Sequence, residues 1–501
     1  MRFQQLMFCG LLAGALGLSA CDSDSDNDVA GNDPGGNGGG SGSDTLQVPE
    51  TFTFDSRFSG SESSVAYDGQ VARQVLIADL RKIVDGMGER IGSDFTTNTT
   101  KDDVLAVMES YFDEGVDTLA NESILLLPDD VETLQPRYGD ISSGKNLVGK
   151  TAGNDDVTDH RDWDGDDTEG ASPAFKGWPN DPAHTPESLL RMWFDEVADN
   201  VMTQLGGAQR TLDVNGTSVN IPVFISDKGY HLGQLVEKFL LGAVAYSQGT
   251  DDYLDDDVQG KGLLTDNVNP DKDGTPFTQL EHQFDEGFGY LGAARDYNDY
   301  TDEEIANDEF RDSVEQDGFI DLQSEFNFGL AGYAAKRDIG STDPRTDFTK
   351  AIFDGFLTGR AIIDAAEGDL TAEELADVQE QRDIVVENWE KVMAANVAHY
   401  INSTRSDMTD IEQAVTPGET LEALKDLAAH WSEMKSFALM LQFNPRKSIS
   451  DADFDQLHDL IGIAPVLPGE DGFDTYDDDL LQARAIIRDA YGFSDANVEN
   501  W

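Results

Sequence analysis

Apolar residues recurring at three- and four-residue spacing limit the fold of this chain more than any other feature. Leu76, Ile77, Leu80, Ile83 and Val84 form one stripe. Leu189, Met192, Trp193, Val197 and Val201 form another behind Pro186 and Glu187, a favourable helix start. Further stripes run from Leu232 to Tyr246, Phe348 to Ile363, Ile384 to Ile401 and Leu421 to Leu441. The departure is Thr211 to Val223, where alternating apolar residues flank Asn215-Gly216, a hairpin signature. The pattern predicts an all-α, multi-helix bundle with one small β-hairpin near 211–223.

Ahead of the stripes, Met1 and Arg2 precede a short apolar run from Leu6 to Leu18, which closes with Leu18-Ser19-Ala20-Cys21. This ending resembles the lipobox of bacterial lipoproteins. The resemblance implies a signal peptide over 1–20 and lipidation of Cys21, which becomes the first residue. Of the two cysteines, Cys9 then leaves with the leader and Cys21 is consumed by lipid. A mature chain without thiols has no disulfide, thiolate zinc site or cysteine nucleophile. Residues 21–48, rich in Asp, Gly and Ser, are expected to form a flexible acidic tether. Asp22 is similar to the enteric signal for inner-membrane retention, a rule that varies between bacteria, so inner or outer membrane stays open. Residues 49–501 are then one large helical domain or two lobes, with no Pro/Gly/Ser-rich linker between them. No apolar run reaches the ~20 residues needed to span a bilayer.

Charge narrows the partners. With 98 acidic against 34 basic residues the net charge is −64, which excludes nucleic acid as a natural partner. Hydrophobic residues still make up 39%, enough for a folded body whose self-repulsion salt would screen. This predicts a salty habitat.

Two acidic loops invite comparison with calcium sites. The stretch from about Asn121 to Thr185 holds Asp155, Asp156, Asp159, Asp162, Asp164, Asp166 and Asp167. Counted from His160, however, the place of a bidentate glutamate is Ala171. Asn269, Asp271 and Asp273 precede Gly274 at alternate positions, as in a calcium loop, yet the twelfth position is Leu280. A solvated acidic loop and a calcium site both remain open for these segments.

Without thiols, chemistry falls to the seven histidines and their carboxylate neighbours. Three segments stand out. Gly229-Tyr230-His231 opens a helix after Asp227, an acceptable N-cap, and places His231, Gln234 and Lys238 along its flank. In Glu281 to Tyr290, Leu280, Phe284, Gly287 and Leu291 share one face; His282, Asp285, Glu286 and Gly289 share the opposite one. His282 and Glu286 at i, i+4 can point an imidazole and a carboxylate at one ion, or simply form a polar outer face. His430 and Glu433 lie on the same side of a helix as Phe437 and Met440, which suggests burial. There a satisfied His-Glu pair and a metal-ligand pair are equally compatible. His399 is a further neighbour by spacing.

Gly229-x-His231 resembles the G-x-H-x-x-E motif of the imelysin family, envelope proteins linked to iron uptake and once classed as peptidases. Ser64-Val65-x-Tyr67-x-Gly69-Gln70-x-x-Arg73, Phe284-Asp285-Glu286-Gly287-Phe288-Gly289-Tyr290 and His430-Trp431-Ser432-Glu433 resemble uncharacterised bacterial lipoproteins associated with imelysins. The resemblance spans about 51–501 and implies an imelysin-like bundle and a role in iron or other metal acquisition. It assigns no active site. One departure is chemical: where imelysins carry glutamate, this chain has Gln234, a poor ligand for iron or zinc.

The expectation is therefore a lipid-anchored envelope protein on the periplasmic or cell-surface side that binds an iron-type or other divalent metal. Its candidate ligands are His231, His282, Glu286, His430 and Glu433, and its partners would be other metal-uptake proteins of the envelope. The alternatives are a metal-dependent peptidase and a non-catalytic lipoprotein that binds a partner or polymer.

Overall fold

The computed structural model describes residues 46–60, 62–128, 131–154, 161, 163, 165, 173–179, 184–314 and 316–501. Cys21, the tether as far as 45 and the acidic run from Asp155 to Asp167 apart from Arg161, Trp163 and Gly165 lie outside or between the described residues. Fifteen α-helices occur among them. The first five are α1 (Asp68–Gly86), α2 (Lys101–Glu109), α3 (Val116–Leu119), α4 (Tyr138–Ile141) and α5 (Pro186–Leu205). They are followed by α6 (Leu232–Leu240), α7 (Gln279–Leu291), α8 (Asp302–Ala306), α9 (Gly329–Gly340) and α10 (Phe348–Ala365). The last are α11 (Ala372–Gln413), α12 (Pro417–Met440), α13 (Asp451–Ile461), α14 (Phe473–Tyr491) and α15 (Asp495–Asn500).

Local chemistry explains where the helices begin. Thr185, Thr278, Thr371 and Thr416 each accept the backbone N–H three residues on, while Ser188, Glu281, Glu374 and Glu419 return the bond. Each such box satisfies two donors that a helix start otherwise leaves bare, and a cap contributes about 1 kcal/mol. Pro186 and Pro417 occupy first-turn positions, where no N–H is needed.

The spine of the body is α11, whose 42 residues span about 63 Å. Its neighbours in sequence, α10 and α12, pack along it, and α12 also packs on α6. Trp193 of α5, Trp389 of α11 and Trp431 of α12 are fully buried. Residues 46–501 form one compact unit.

The hairpin forms where expected. Strand β1 (Thr211–Val214) pairs antiparallel with β2 (Thr217–Asn220), Val214 opposite Thr217. Asn215 and Gly216 adopt φ of 50° and 81°, the left-handed pair that a two-residue turn requires.

Three local expectations are corrected or narrowed. The helix after Gly229 is capped by His231 and not by Asp227, which instead pairs with Arg210 at 2.6 Å. Of the two roles open to its flank, a site or solvent, solvent is ruled out for Gln234 and Lys238, which are buried together with its apolar residues. On α7 the face opposite Phe284 is only partly polar and open: Asp285 and Gly289 are buried, His282 and Glu286 half-buried. Both helices pack on two sides, which a single-face reading cannot anticipate.

The stripe from Leu232 to Tyr246 is not one α-helix either. It widens into π-helix over Leu241–Tyr246, and a second π segment covers Gly249–Tyr253. The glycines there permit close approach: a Cβ on Gly242 would lie 2.3 Å from Met440 Cγ, and one on Gly249 2.8 Å from the Trp389 ring.

Candidate functional site

The motifs singled out in the sequence come together in two pairs. In the first, the segment entering α1 lies against α7. Arg360 of α10, fully buried, donates from Nε to Asp285 Oδ1 at 2.9 Å and from Nη2 to Ser64 Oγ at 2.7 Å. The Ala66 N–H donates to Asp285 Oδ2 at 3.3 Å, and Gln70 Nε2 donates to Glu286 Oε1 at 2.8 Å. Gly289 is required by this fit, because a Cβ there would come within 2.7 Å of Tyr67 Cβ. Burial pushes the Asp285 carboxyl up to about 6, an effect the Arg360 guanidinium only partly offsets.

His282 and Glu286 sit at the rim of this packing. Nδ1 of His282 lies 3.0 Å from the Ala66 carbonyl oxygen, and the ring stacks on Phe277 with centroids 4.6 Å apart. A carbonyl oxygen can only accept, so Nδ1 carries a proton, and in the neutral imidazole the lone pair resides on Nε2. Nε2 is 3.8 Å from Glu286 Oε1, with side-chain exposures of 27% and 16% respectively.

In the second pair, α6 meets α12. The backbone N–H of His231 donates to Ser432 Oγ at 2.8 Å, while its Nδ1 accepts the Gln234 N–H at 3.3 Å. Gln234 is positioned to bridge the two helices and α1, its amide nitrogen 3.2 Å from Glu433 Oε1 and its oxygen 3.0 Å from Arg81 Nη2. Lys238 Nζ lies 2.6 Å from Glu237 Oε2 and 3.8 Å from Glu433 Oε1; Arg81 Nε lies 3.4 Å from both Asp85 and Glu237. Three carboxylates thus surround two cations.

Desolvation governs how these groups titrate. Burial, helped by the positive charge of Arg81, lowers His231 to about 3, so the imidazole is neutral. Burial raises Asp85 to about 6 and raises Glu433 as well. For Glu237 burial acts upward too, but Lys238 and Arg81 together outweigh it and hold the carboxyl below its ordinary range. A glutamine at position 234 suits this cluster, since a fourth carboxylate would add uncompensated charge.

His430 is hydrogen-bonded outside this cluster, although the charge of Glu433 also acts on it. Its Nδ1 is 2.6 Å from Asp407 Oδ2 on α11, and burial, which lowers its pKa, is overcome by that bond and charge. His399 packs its ring against Tyr400 at 4.8 Å. The loop at 269–274 is braced internally: Asn269 donates from its backbone and side chain to Asp266, and Lys272 N–H donates to Thr275 Oγ1. Asp271 lies 3.7 Å from Lys272 Nζ.

The five nominated ligands therefore occupy different places. His231 and Glu433 share the α6–α12 cluster, His430 turns to Asp407, and His282 with Glu286 belongs to α7. Among the described residues no three His, Cys, Asp or Glu side chains are grouped to hold a metal ion.

A family model described as Domain of unknown function (DUF4856) matches residues 193–458, from within α5 to within α13. The chain belongs to that family. No curated protein and no solved structure matches it. The DUF4856 match contains α6, α7, α10 and α12, and so both the Asp285–Arg360 and the His231–Ser432 contacts, whereas α1 and its Ser64 to Arg73 motif precede it.

Arg81, Asp85, Arg360 and Asp407 escaped the sequence reading. Arg360 had the clearest signal: a lone arginine between Leu357 and Ile363 in an apolar stripe needs a buried carboxylate partner.

Proposed function

We propose that this DUF4856 protein is a lipid-anchored, imelysin-like component of the bacterial envelope that takes up a metal ion through His282 and Glu286 and thereby assists metal acquisition. The orientation of His282 carries the reading. The Ala66 carbonyl fixes the tautomer, as a hydrogen-bonded oxygen does behind many metal-bound histidines, and directs the lone pair of Nε2 toward the side of the ring where Glu286 stands.

The geometry suits a loosely held ion. Two ligands about 2.1 Å from a tetrahedral metal stand about 3.4 Å apart, so the 3.8 Å gap closes by a small side-chain adjustment. Gln70 already braces the carboxylate. Two protein ligands leave the remaining positions to water or to donors brought by the cargo, which fits transfer better than permanent retention. A hydrolytic metal centre uses about three protein ligands. The large negative charge favours cation capture by raising the local cation concentration. Anchoring rests on Cys21; among the described residues no helix is long and apolar enough to cross a membrane.

Calorimetric titration with iron(II), copper(II) and zinc tests the proposal. It expects binding that His282→Ala abolishes, Glu286→Gln weakens and His430→Ala leaves intact; binding indifferent to His282 sinks it. A second reading, a partner- or polymer-binding lipoprotein in which the motifs only stabilise the bundle, draws on the protein partners of His231 and His430. It expects His→Ala changes to lower thermal stability without altering any metal affinity.

A further inference from the structure

A cavity of about 240 Å³ opens between α1, the end of α6 and the segments around 308–310 and 326–329. We propose that it binds a small organic cation, a protonated amine carried on an aromatic body. This site is separate from His282 and Glu286, neither of which lines it.

Size comes first. A cavity of roughly 150 Å³ accommodates a benzene ring, so this volume takes a ring with a short chain. Its walls suit such a body. Phe310 and Phe326 stack with centroids 5.4 Å apart, Phe326 and Phe328 are 4.5 Å apart, and Ile77 and Leu241 complete an apolar side. Aromatic faces carry negative charge density that attracts a cation as well as an aryl group.

The polar groups select the sign of the charge. Among the described residues Glu237 and Asp308 both line the cavity, and no lysine or arginine does. Glu237 is held in place by Lys238 at 2.6 Å and Arg81 at 3.4 Å; Asp85 and Glu433 offset those two cations. Gln74 spends its amide nitrogen on the Tyr290 carbonyl at 2.8 Å, which leaves Oε1, beside Gly329, as its acceptor. Asn327 spends its oxygen on the Ala294 N–H at 2.8 Å. That leaves the Asn327 amide as a donor, against the two carboxylates and Gln74 Oε1, so acceptors outnumber donors among these side chains and complement an ammonium group.

Calorimetry with 2-phenylethylammonium, the neutral 2-phenylethanol and the anionic 3-phenylpropionate at moderate salt tests the assignment. The ammonium should bind saturably at one site, with the alcohol roughly tenfold weaker, the worth of one charge-assisted hydrogen bond. The carboxylate should not bind. Ala78→Leu, which fills space in the cavity, should remove ammonium binding. Asp308→Asn should weaken the ammonium and leave the alcohol unchanged; asparagine accepts the φ of 54° at this position, so the fold is kept. Equal binding of all three probes, no saturable binding, or ammonium binding unaffected by Ala78→Leu overturns the proposal. The last outcome would mean diffuse attraction to an acidic surface.

Discussion

The backbone N–H of His231 donates to Ser432 Oγ at 2.8 Å, joining two motifs 201 positions apart. The bond lies in the core, where water cannot replace a lost partner. It locks the start of α6 against the middle of α12 and so sets the register in which Gln234 reaches Glu433.

Ser432→Ala should therefore cost about 1–3 kcal/mol, the penalty for an orphaned buried donor, despite alanine's better helix propensity. Urea unfolding reads this as a lower midpoint with unchanged slope. An unchanged midpoint would show that the N–H finds another acceptor.

Arg360→Met should be more severe, at about 3–5 kcal/mol, because it leaves Asp285 buried and unpaired. The segment around Ser64 should loosen first, seen as faster amide exchange at Ser64 and Ala66. The double change Arg360→Met with Asp285→Leu should recover much of the loss, since it removes the stranded charge too.

Lys435 gives a pH dependence of definite sign. It is buried on α12, donating to His458 Nδ1 at 2.9 Å and to the Gly462 carbonyl at 2.7 Å of the α13 end; Asp459 acts from that same helix, and Trp178 covers it. Burial lowers its pKa to about 7, against about 10.4 in an unfolded chain. Between those values the unfolded chain binds more protons at this site, so its contribution to stability rises with pH from about 7 to 10. Lys435→Met should flatten the stability profile in that window; parallel wild-type and variant profiles would refute the assignment.

His430 behaves in the opposite sense. Its pKa is raised by Asp407, so its stabilisation is present below the unfolded value and fades as pH climbs through the folded one. Asp407→Asn should lower the imidazole titration midpoint measured by NMR. An unmoved midpoint would assign the shift to other carboxylates.

Different parts of the molecule were legible in the sequence for different reasons. Asn215-Gly216 specified its turn because left-handed backbone at two consecutive positions admits few residue pairs. Pro186 with Glu187 marked a helix start because a first-turn proline needs no N–H partner and an acidic residue suits that end. By contrast, Leu232 to Tyr246 read as one helix because a π-helical turn keeps the same apolar residues at nearly the same spacing. Whether Asp285 faced an ion or solvent stayed open in the sequence because its partner, Arg360, is 75 positions away.

By itself, then, the sequence determined the class of fold, the hairpin and the helix start at Pro186, since these depend on periodicity and short-range bonds. Only the tertiary structure decided which motifs meet: Ser64 to Gln70 with α7, and His231 with Ser432. It also decided that Glu433 faces Lys238 while His430 faces Asp407. Contacts between helices distant in sequence arise from packing two or more faces at once, and a stripe on one helix does not encode the face of its neighbour.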